Sequence, residues 1–294
     1  MRSSKFSGVG VALVTPFNED LSIDYPSLEK IINNCIEGGV DYLVSNGTTA
    51  EASTLTPQEK KEVLAFVKKI NNGRLPILYG IGSNNTKHIL ELIADTDFNG
   101  VDGILTISPY YNKPSQQGII RHYQVIADAS PVPVIMYNVP GRTGSNVEAK
   151  TSIELSKHPN IIGIKEASGD LYQCLDIMRD KADDFTIISG DDILTTPMIS
   201  IGTSGVISVM ANAYPKQFSN MIHLALKGDF KEANKLLLEF ILLDDLLYQE
   251  SNPVGIKEVL YIQGVCKNYV REPLVSASEE LNQKIAAVCN KMKL

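Results

Sequence analysis

Lys165 closes an apolar run. Ile161-Ile162-Gly163-Ile164 reads as a buried strand, and the lysine follows directly, with Glu166 and Ala167 behind it. Such a strand seldom ends in an amine unless that amine is solvated, paired or used. In a water-poor pocket, desolvation disfavours the ammonium and lowers a pKa that is otherwise about 10.4. The neutral amine attacks carbonyl carbons, so the chemistry to weigh first is a Schiff base. A strand-end lysine reaching solvent or a carboxylate stands equal to it on this segment alone.

Other chemistry-bearing groups recur at comparable places. Short apolar runs end in Thr15-Pro16, Gly47-Thr48-Thr49, Ser108-Pro109-Tyr110-Tyr111, Tyr137-Asn138 with Arg142 close behind, Ser189-Gly190-Asp191-Asp192, and Ile207-Ser208. Each has a plain structural explanation. Tyr137 suits a core aromatic with a satisfied hydroxyl, Thr48 and Thr49 suit caps, and Tyr110-Tyr111 suits a packing pair. Arg142 suits a solvated turn, and the aspartate doublet most simply caps the next helix. Their convergence on one rim says more than any of them singly.

The elements that position them alternate in kind. Nearly continuous apolar runs at 9–14, 42–45, 77–81, 103–107, 134–137, 161–164, 186–188 and 206–209 read as strands buried on both faces. Helical patterns fill the gaps. Leu28, Ile31, Ile32, Cys35 and Ile36 make one stripe, and Thr56-Pro57-Gln58-Glu59 is a capping box with proline at the first helical position. Eight parallel strands with interleaved helices predict an α/β fold, a (β/α)8 TIM barrel, whose active site lies at the carboxyl ends of the strands. A doubly wound sheet is the alternative architecture. Its glycine fingerprint fails, because Asn85 stands at the third glycine position of Gly80-Ile81-Gly82-Ser83-Asn84-Asn85, which reads instead as a strand-to-helix turn. From about Gly228 the rhythm stops. Residues 1–227 are therefore read as the catalytic barrel, and 228–294 as a C-terminal helical appendage with helices near 255–266 and 278–292.

Composition removes several function classes. The chain has 294 residues, 44% hydrophobic and 21% charged, with a formal net charge of −7 and no long basic block, which argues against a nucleic-acid surface. Cys35, Cys174, Cys266 and Cys289 form no CxxC pair and read as reduced thiols of a cytoplasmic protein. Residues 1–8 lack the apolar core of a signal peptide, and no run approaches membrane-spanning length. The four histidines, His88, His122, His158 and His223, are scattered. With no HExxH cluster, GxSxG elbow or P-loop, amine catalysis without metal or cofactor is favoured.

With these residues in hand, the chain resembles the pyruvate-dependent class I aldolase/lyase superfamily from Gly8 to about Leu281. The strongest segments are Gly47-Thr48-Thr49-Ala50-Glu51, Ser108-Pro109-Tyr110-Tyr111-Asn112-Lys113-Pro114, Tyr137-Asn138-Val139-Pro140-Gly141-Arg142-Thr143-Gly144, Lys165-Glu166-Ala167 after its strand, and Gly205-Val206-Ile207-Ser208-Val209. The resemblance implies that Lys165 forms the imine with pyruvate and that Tyr137, Thr48 and Tyr111 relay protons, Tyr111 serving a neighbouring subunit. It further implies that Thr48 and Thr49 hold the pyruvate carboxylate, Arg142 binds the carboxylate of L-aspartate 4-semialdehyde, and Gly190 and the Ile207 carbonyl line the pocket. A homotetramer built as a dimer of dimers is implied as well.

Arg142 narrows the choice within the superfamily. A guanidinium fork matches a carboxylate, whereas the related sialic-acid lyases share the lysine and tyrosine but lack this arginine. A sugar-acid aldolase is the enzymatic alternative, and a catalytically silent binding barrel the non-enzymatic one. Three departures stand out. Ala50 and Ala52 replace the usual glycine and serine, the methyl at 50 opposing left-handed backbone. Gly255 replaces a proline in Asn252-Pro253-Val254-Gly255-Ile256-Lys257, a loss of stiffness. At the interface pocket that binds lysine in inhibited relatives, Asn84 and Tyr110 remain, but His88 replaces an acid and Ala52 and Lys60 replace polar partners. Weak or absent lysine inhibition is the expectation.

Overall fold

The computed structural model describes residues 4–292; residues 1–3 of the span read for a signal peptide and residues 293–294 of the C-terminal appendage lie outside them. Eight strands, β1 (Gly8–Ala12), β2 (Tyr42–Ser45), β3 (Ile77–Gly80), β4 (Gly103–Ile107), β5 (Val134–Asn138), β6 (Ile161–Glu166), β7 (Thr186–Ser189) and β8 (Gly205–Ser208), pair in parallel in chain order. β8 closes on β1, with Val206 opposite Val9 and Ile207 opposite Gly10. The predicted (β/α)8 barrel is what forms. Several strand ends shift by one or two residues from expectation, and one shift bears on the site: β6 runs on through Lys165 and Glu166, so the lysine lies inside the strand rather than after it.

Helices α1 (Tyr25–Glu37), α2 (Pro57–Asn71), α3 (Thr86–Ala94) and α4 (Gln116–Ala129) follow the first four strands. A short α5 (Pro140–Thr143) and α6 (Ala149–Ser156) follow β5, then α7 (Leu171–Asp180), α8 (Thr195–Ser200) and α9 (Pro215–Leu226) follow β6, β7 and β8. The capping box that opens α2 is complete, Thr56 accepting from the Glu59 amide and Glu59 from the Thr56 amide. The glycine-rich stretch after β3 is a turn into α3, whose first amides bond to the Asn85 side chain. Beyond Gly228 come α10 (Phe230–Gln249), α11 (Val254–Ile262) and α12 (Glu279–Cys289). No helix is long and apolar enough to cross a membrane among the described residues.

Two apolar layers result from strand alternation. Val9, Leu43, Ile77, Ile104, Val134, Met136, Ile187 and Val206 face the helices, while Tyr42, Leu78, Leu105, Ile135, Tyr137, Ile162, Ile188 and Ile207 fill the barrel. The alternation breaks once. Val134 stands opposite Ile161 but Ile135 opposite Gly163, so β6 carries one more residue than β5 across this step. Ile162 faces inward, Ile164 faces outward, and the next inward position is Lys165.

Gly255 has a reason of its own. A Cβ there would lie 2.5 Å from Leu247 Cα, so α11 sits closer on α10 than any side chain permits. What read as lost stiffness is a packing requirement.

Candidate active site

Tyr137 is the register partner of Lys165 across β5 and β6. Both face the barrel axis, which brings the amine over the ring, with Nζ 4.4 Å from its centroid. Lys165 is 6% exposed and Tyr137 8%. The adjacent acid is turned away from the amine. Glu166 points outward, where its carboxylate accepts from Asn138 Nδ2 and Gln173 Nε2, each at 3.0 Å, and from the Ser168 amide at 2.8 Å. Burial pushes Glu166 above the ordinary carboxylate range. Asn138 in turn bonds Asn146 and the Val147 amide, so the acid fixes the segment after β5 that carries Arg142.

Gly190, the residue after β7, borders the lysine. A Cβ built on it would stand 2.9 Å from Lys165 Cε and 2.7 Å from Ala167 Cβ, so the lysine stem passes only because no side chain is there. Ile207 lies in the same interior cluster as Tyr137.

Thr48 and Thr49 open a short 3-10 turn, Thr48–Ala50, directly after β2. Thr49 is buried, and its hydroxyl accepts from Asn252 Nδ2 at 3.1 Å. Ala50 takes part in the turn, and the left-handed residue is Glu51 at φ 54°. An alanine at position 50 therefore strains nothing.

Tyr111 and Arg142, unlike these residues, are exposed. Tyr111 has φ 73° and is 88% exposed, and Arg142 lies on α5.

The aspartate doublet divides. Asp191 accepts from the amides of Ile193 and Leu194 in the turn ahead of α8, whose N-cap residue, Leu194, makes no side-chain cap. Asp192 is fully buried and reaches to the end of β8, accepting from the Val209 and Met210 amides at 3.0 and 2.8 Å. Burial lifts Asp192 to about 6. On α10, Asp244 is pushed to about 8 by burial and by the charges of Asp192 and Asp191. Among the described residues, no group of three or more metal-ligating side chains forms.

Sequence reasoning missed the support behind the threonines. Glu51 Oε1 pairs with Lys257 Nζ at 2.5 Å, and both side chains are shut off from solvent. The one signal was a lysine inside the otherwise apolar start of α11, where residues 254–260 are all buried.

A closed parallel barrel with an interior lysine beside a tyrosine defines a (β/α)8 lyase of the class I aldolase type. The profile of the Dihydrodipicolinate synthetase family matches residues 5–292. The 4-hydroxy-tetrahydrodipicolinate synthase of Cytophaga hutchinsonii is 51% identical over 280 residues, covering 95% of this chain and 94% of that one. Its counterpart from Flavobacterium psychrophilum is 48% identical over 281 residues, 95% and 96% of the two chains. The crystal structure of chloride-inhibited dihydrodipicolinate synthase from Acinetobacter baumannii complexed with pyruvate matches with a TM-score of 0.94 and 36% identity, over 97% of this chain and 98% of that one. The chain belongs to the dihydrodipicolinate synthetase family.

Proposed function

We propose that this enzyme condenses pyruvate with L-aspartate 4-semialdehyde to give 4-hydroxy-tetrahydrodipicolinate, on the route to diaminopimelate and lysine. One observation carries the reading: an interior amine, register-paired with a tyrosine and left without a carboxylate partner by the outward turn of Glu166. The names of the relatives agree with it.

Lys165 Nζ adds to the keto carbon of pyruvate, water leaves, and the resulting imine withdraws electrons from the methyl group. Thr48 and Thr49 hold the pyruvate carboxylate. A methyl proton passes to the phenol relay of Tyr137, Thr48 and a neighbouring subunit's Tyr111, leaving an enamine. The enamine carbon bonds to the aldehyde carbon, and the aldehyde oxygen takes a proton from the relay. The amino group of the second substrate then attacks the imine carbon. Lys165 leaves as the free amine and the six-membered ring closes. Arg142 grips the second carboxylate through a planar fork. The imine supplies the electron sink, so the sequence of steps calls for no metal or cofactor.

Borohydride reduction in the presence of pyruvate, followed by peptide mapping, tests the reading. One adduct on Lys165 is expected, together with turnover of the semialdehyde far above cleavage of sialic acid or 2-keto-3-deoxy sugar acids. Full condensation by Lys165→Met would overturn it, and preference for a sugar acid would replace the substrate.

The same reading includes a tetramer. Tyr111 projects from the rim with nothing of its own chain to cover it, as a residue bound for a neighbour's site does. Exposed apolar residues, Tyr172 and Leu175 on α7 and Leu238 and Leu242 on α10, support a further contact between copies. Sedimentation analysis is expected to give four chains, and a monomer at working concentration would refute the shared site.

A further inference from the structure

We infer that the C-terminal helices hold the threonine turn of the pyruvate site in place, with Glu51, Lys257 and Asn252 as positioning residues. The inference rests on the reading that Thr48 and Thr49 receive the pyruvate carboxylate.

The turn has two free-standing tasks for a short piece of chain: it ends β2 and it must aim its donors. On the barrel side it is held by Thr15, whose hydroxyl donates to the Ala50 carbonyl at 2.9 Å. On the other side the partners of the Thr49 hydroxyl and of the Glu51 carboxylate come from the far end of the chain. Asn252 Nδ2 reaches the Thr49 hydroxyl oxygen at 3.1 Å. Glu51, the left-handed residue that ends the turn, points its carboxylate into the appendage. One oxygen takes Lys257 Nζ at 2.5 Å and the other takes the Arg271 amide at 2.9 Å.

The cation is itself fixed. Lys257 Nζ also donates to the Tyr269 carbonyl at 2.8 Å and lies 4.1 Å from the centre of the Phe17 ring. Arg271 lies 4.5 Å from the centre of the same ring and clamps Glu59 and the Thr54 and Leu21 carbonyls. Burial pushes the Lys257 ammonium below its ordinary value, and the pull of Glu51 opposes that. A buried pair of this kind is poor value as a stabiliser, because hydrophobic residues of similar volume do as well. Its distinctive property is direction: the Tyr269 carbonyl and the Arg271 amide fix the two charges in one geometry, which holds Glu51 two residues from Thr49.

The asparagine bond has a chemical consequence for the site. By donating to the Thr49 oxygen, Asn252 occupies an acceptor position and leaves the hydroxyl hydrogen to point elsewhere. Thr49 is thereby set as a donor, the role an incoming carboxylate requires.

The test is a differential titration. The Glu51→Gln/Lys257→Met double variant removes both charges at nearly constant volume, and Asn252→Ala removes the donor to Thr49 while keeping the ion pair. Borohydride trapping is titrated with pyruvate and with its methyl ester, which offers the same ketone without a carboxylate. Half-saturation by pyruvate is expected to rise about tenfold in each variant, since a charge-assisted contact is lost, while that for the ester stays within about twofold. A purely structural defect would move both ketones by the same factor. Equal shifts, or no shift with either, would overturn the inference. Asn252→Ala decides alone if the double variant does not reach a native melting transition. Wild-type enzyme that pyruvate fails to label would instead sink the reading of the site itself, so the two failures are distinct.

Discussion

Replacing Gly190 by alanine puts the seating of the Lys165 amine to a direct test. The backbone at Gly190 lies outside the left-handed region, so alanine meets no conformational barrier there, only neighbours. The new methyl would stand 2.9 Å from Lys165 Cε. Ordinary carbon contacts are about 3.5–4.0 Å, so the lysine must retreat by about 1 Å. A displacement of about 1 Å at a reacting group costs roughly a hundredfold, or about 2.7 kcal/mol of barrier. The second clash, 2.7 Å to Ala167 Cβ, joins two atoms rooted in backbone and cannot be relieved by a rotamer. Overpacking of that kind costs about 1–3 kcal/mol of stability, a loss of several degrees in melting temperature. The rate of pyruvate trapping under borohydride, measured beside a thermal melt, reads both effects. If Gly190→Ala is labelled within about threefold of the wild-type rate and melts unchanged, the neighbours give way freely and the argument from contact distance is wrong.

The remaining expectations concern other parts of the molecule. Tyr111→Phe should lower turnover by about 10²–10⁴, the range of a lost acid/base group, with pyruvate trapping intact; unchanged steady-state turnover would remove Tyr111 from the relay. Arg142→Ala should weaken use of the semialdehyde about 10–100-fold while imine formation survives, and equal loss of both in parallel assays would count against its role. His223 bonds Asp41 at 2.8 Å, and that hydrogen bond, chiefly, raises its pKa above the ordinary 6.5. Its contribution to stability is therefore fully present below the unfolded value and fades as pH rises through the raised folded value. The melting advantage of wild type over His223→Gln should shrink from pH 6 toward pH 8.5, and a gap that widened would contradict the sign. Lysine at about millimolar concentration should leave the initial rate nearly unchanged, because His88 and the Lys60 cation offer the ligand's ammonium no counter-charge; strong inhibition below that would refute it.

How far the chain could be read before its structure depended on the range of the interaction. The strands were legible because a parallel barrel buries both faces, which writes runs such as 161–164 in uninterrupted apolar letters. Helix starts such as Thr56–Glu59 were legible because caps act over three residues. Lys165 and Tyr137 were legible as candidates, but their meeting needed the register of β5 against β6. Glu51 and Lys257 lie 206 positions apart, and no local pattern ties them. Asp192 read as a cap because the doublet looks like one, whereas its partners are amides 17 and 18 residues away. Ala50 invited a worry about backbone strain that belonged one residue later, at Glu51.

The break in alternation that absorbs the extra residue of β6 decides which reagent the barrel presents. Counting strictly by twos from Ile162 would turn Ile164 and Glu166 toward the axis and send Lys165 out among the helices. The barrel would then present an acid where it now presents an amine, with every other strand untouched. A one-residue deletion at Gly163 would leave Lys165 two places after Ile162 and still on the axis, so the inserted residue and the break in alternation cancel, and only the two together keep the amine indoors.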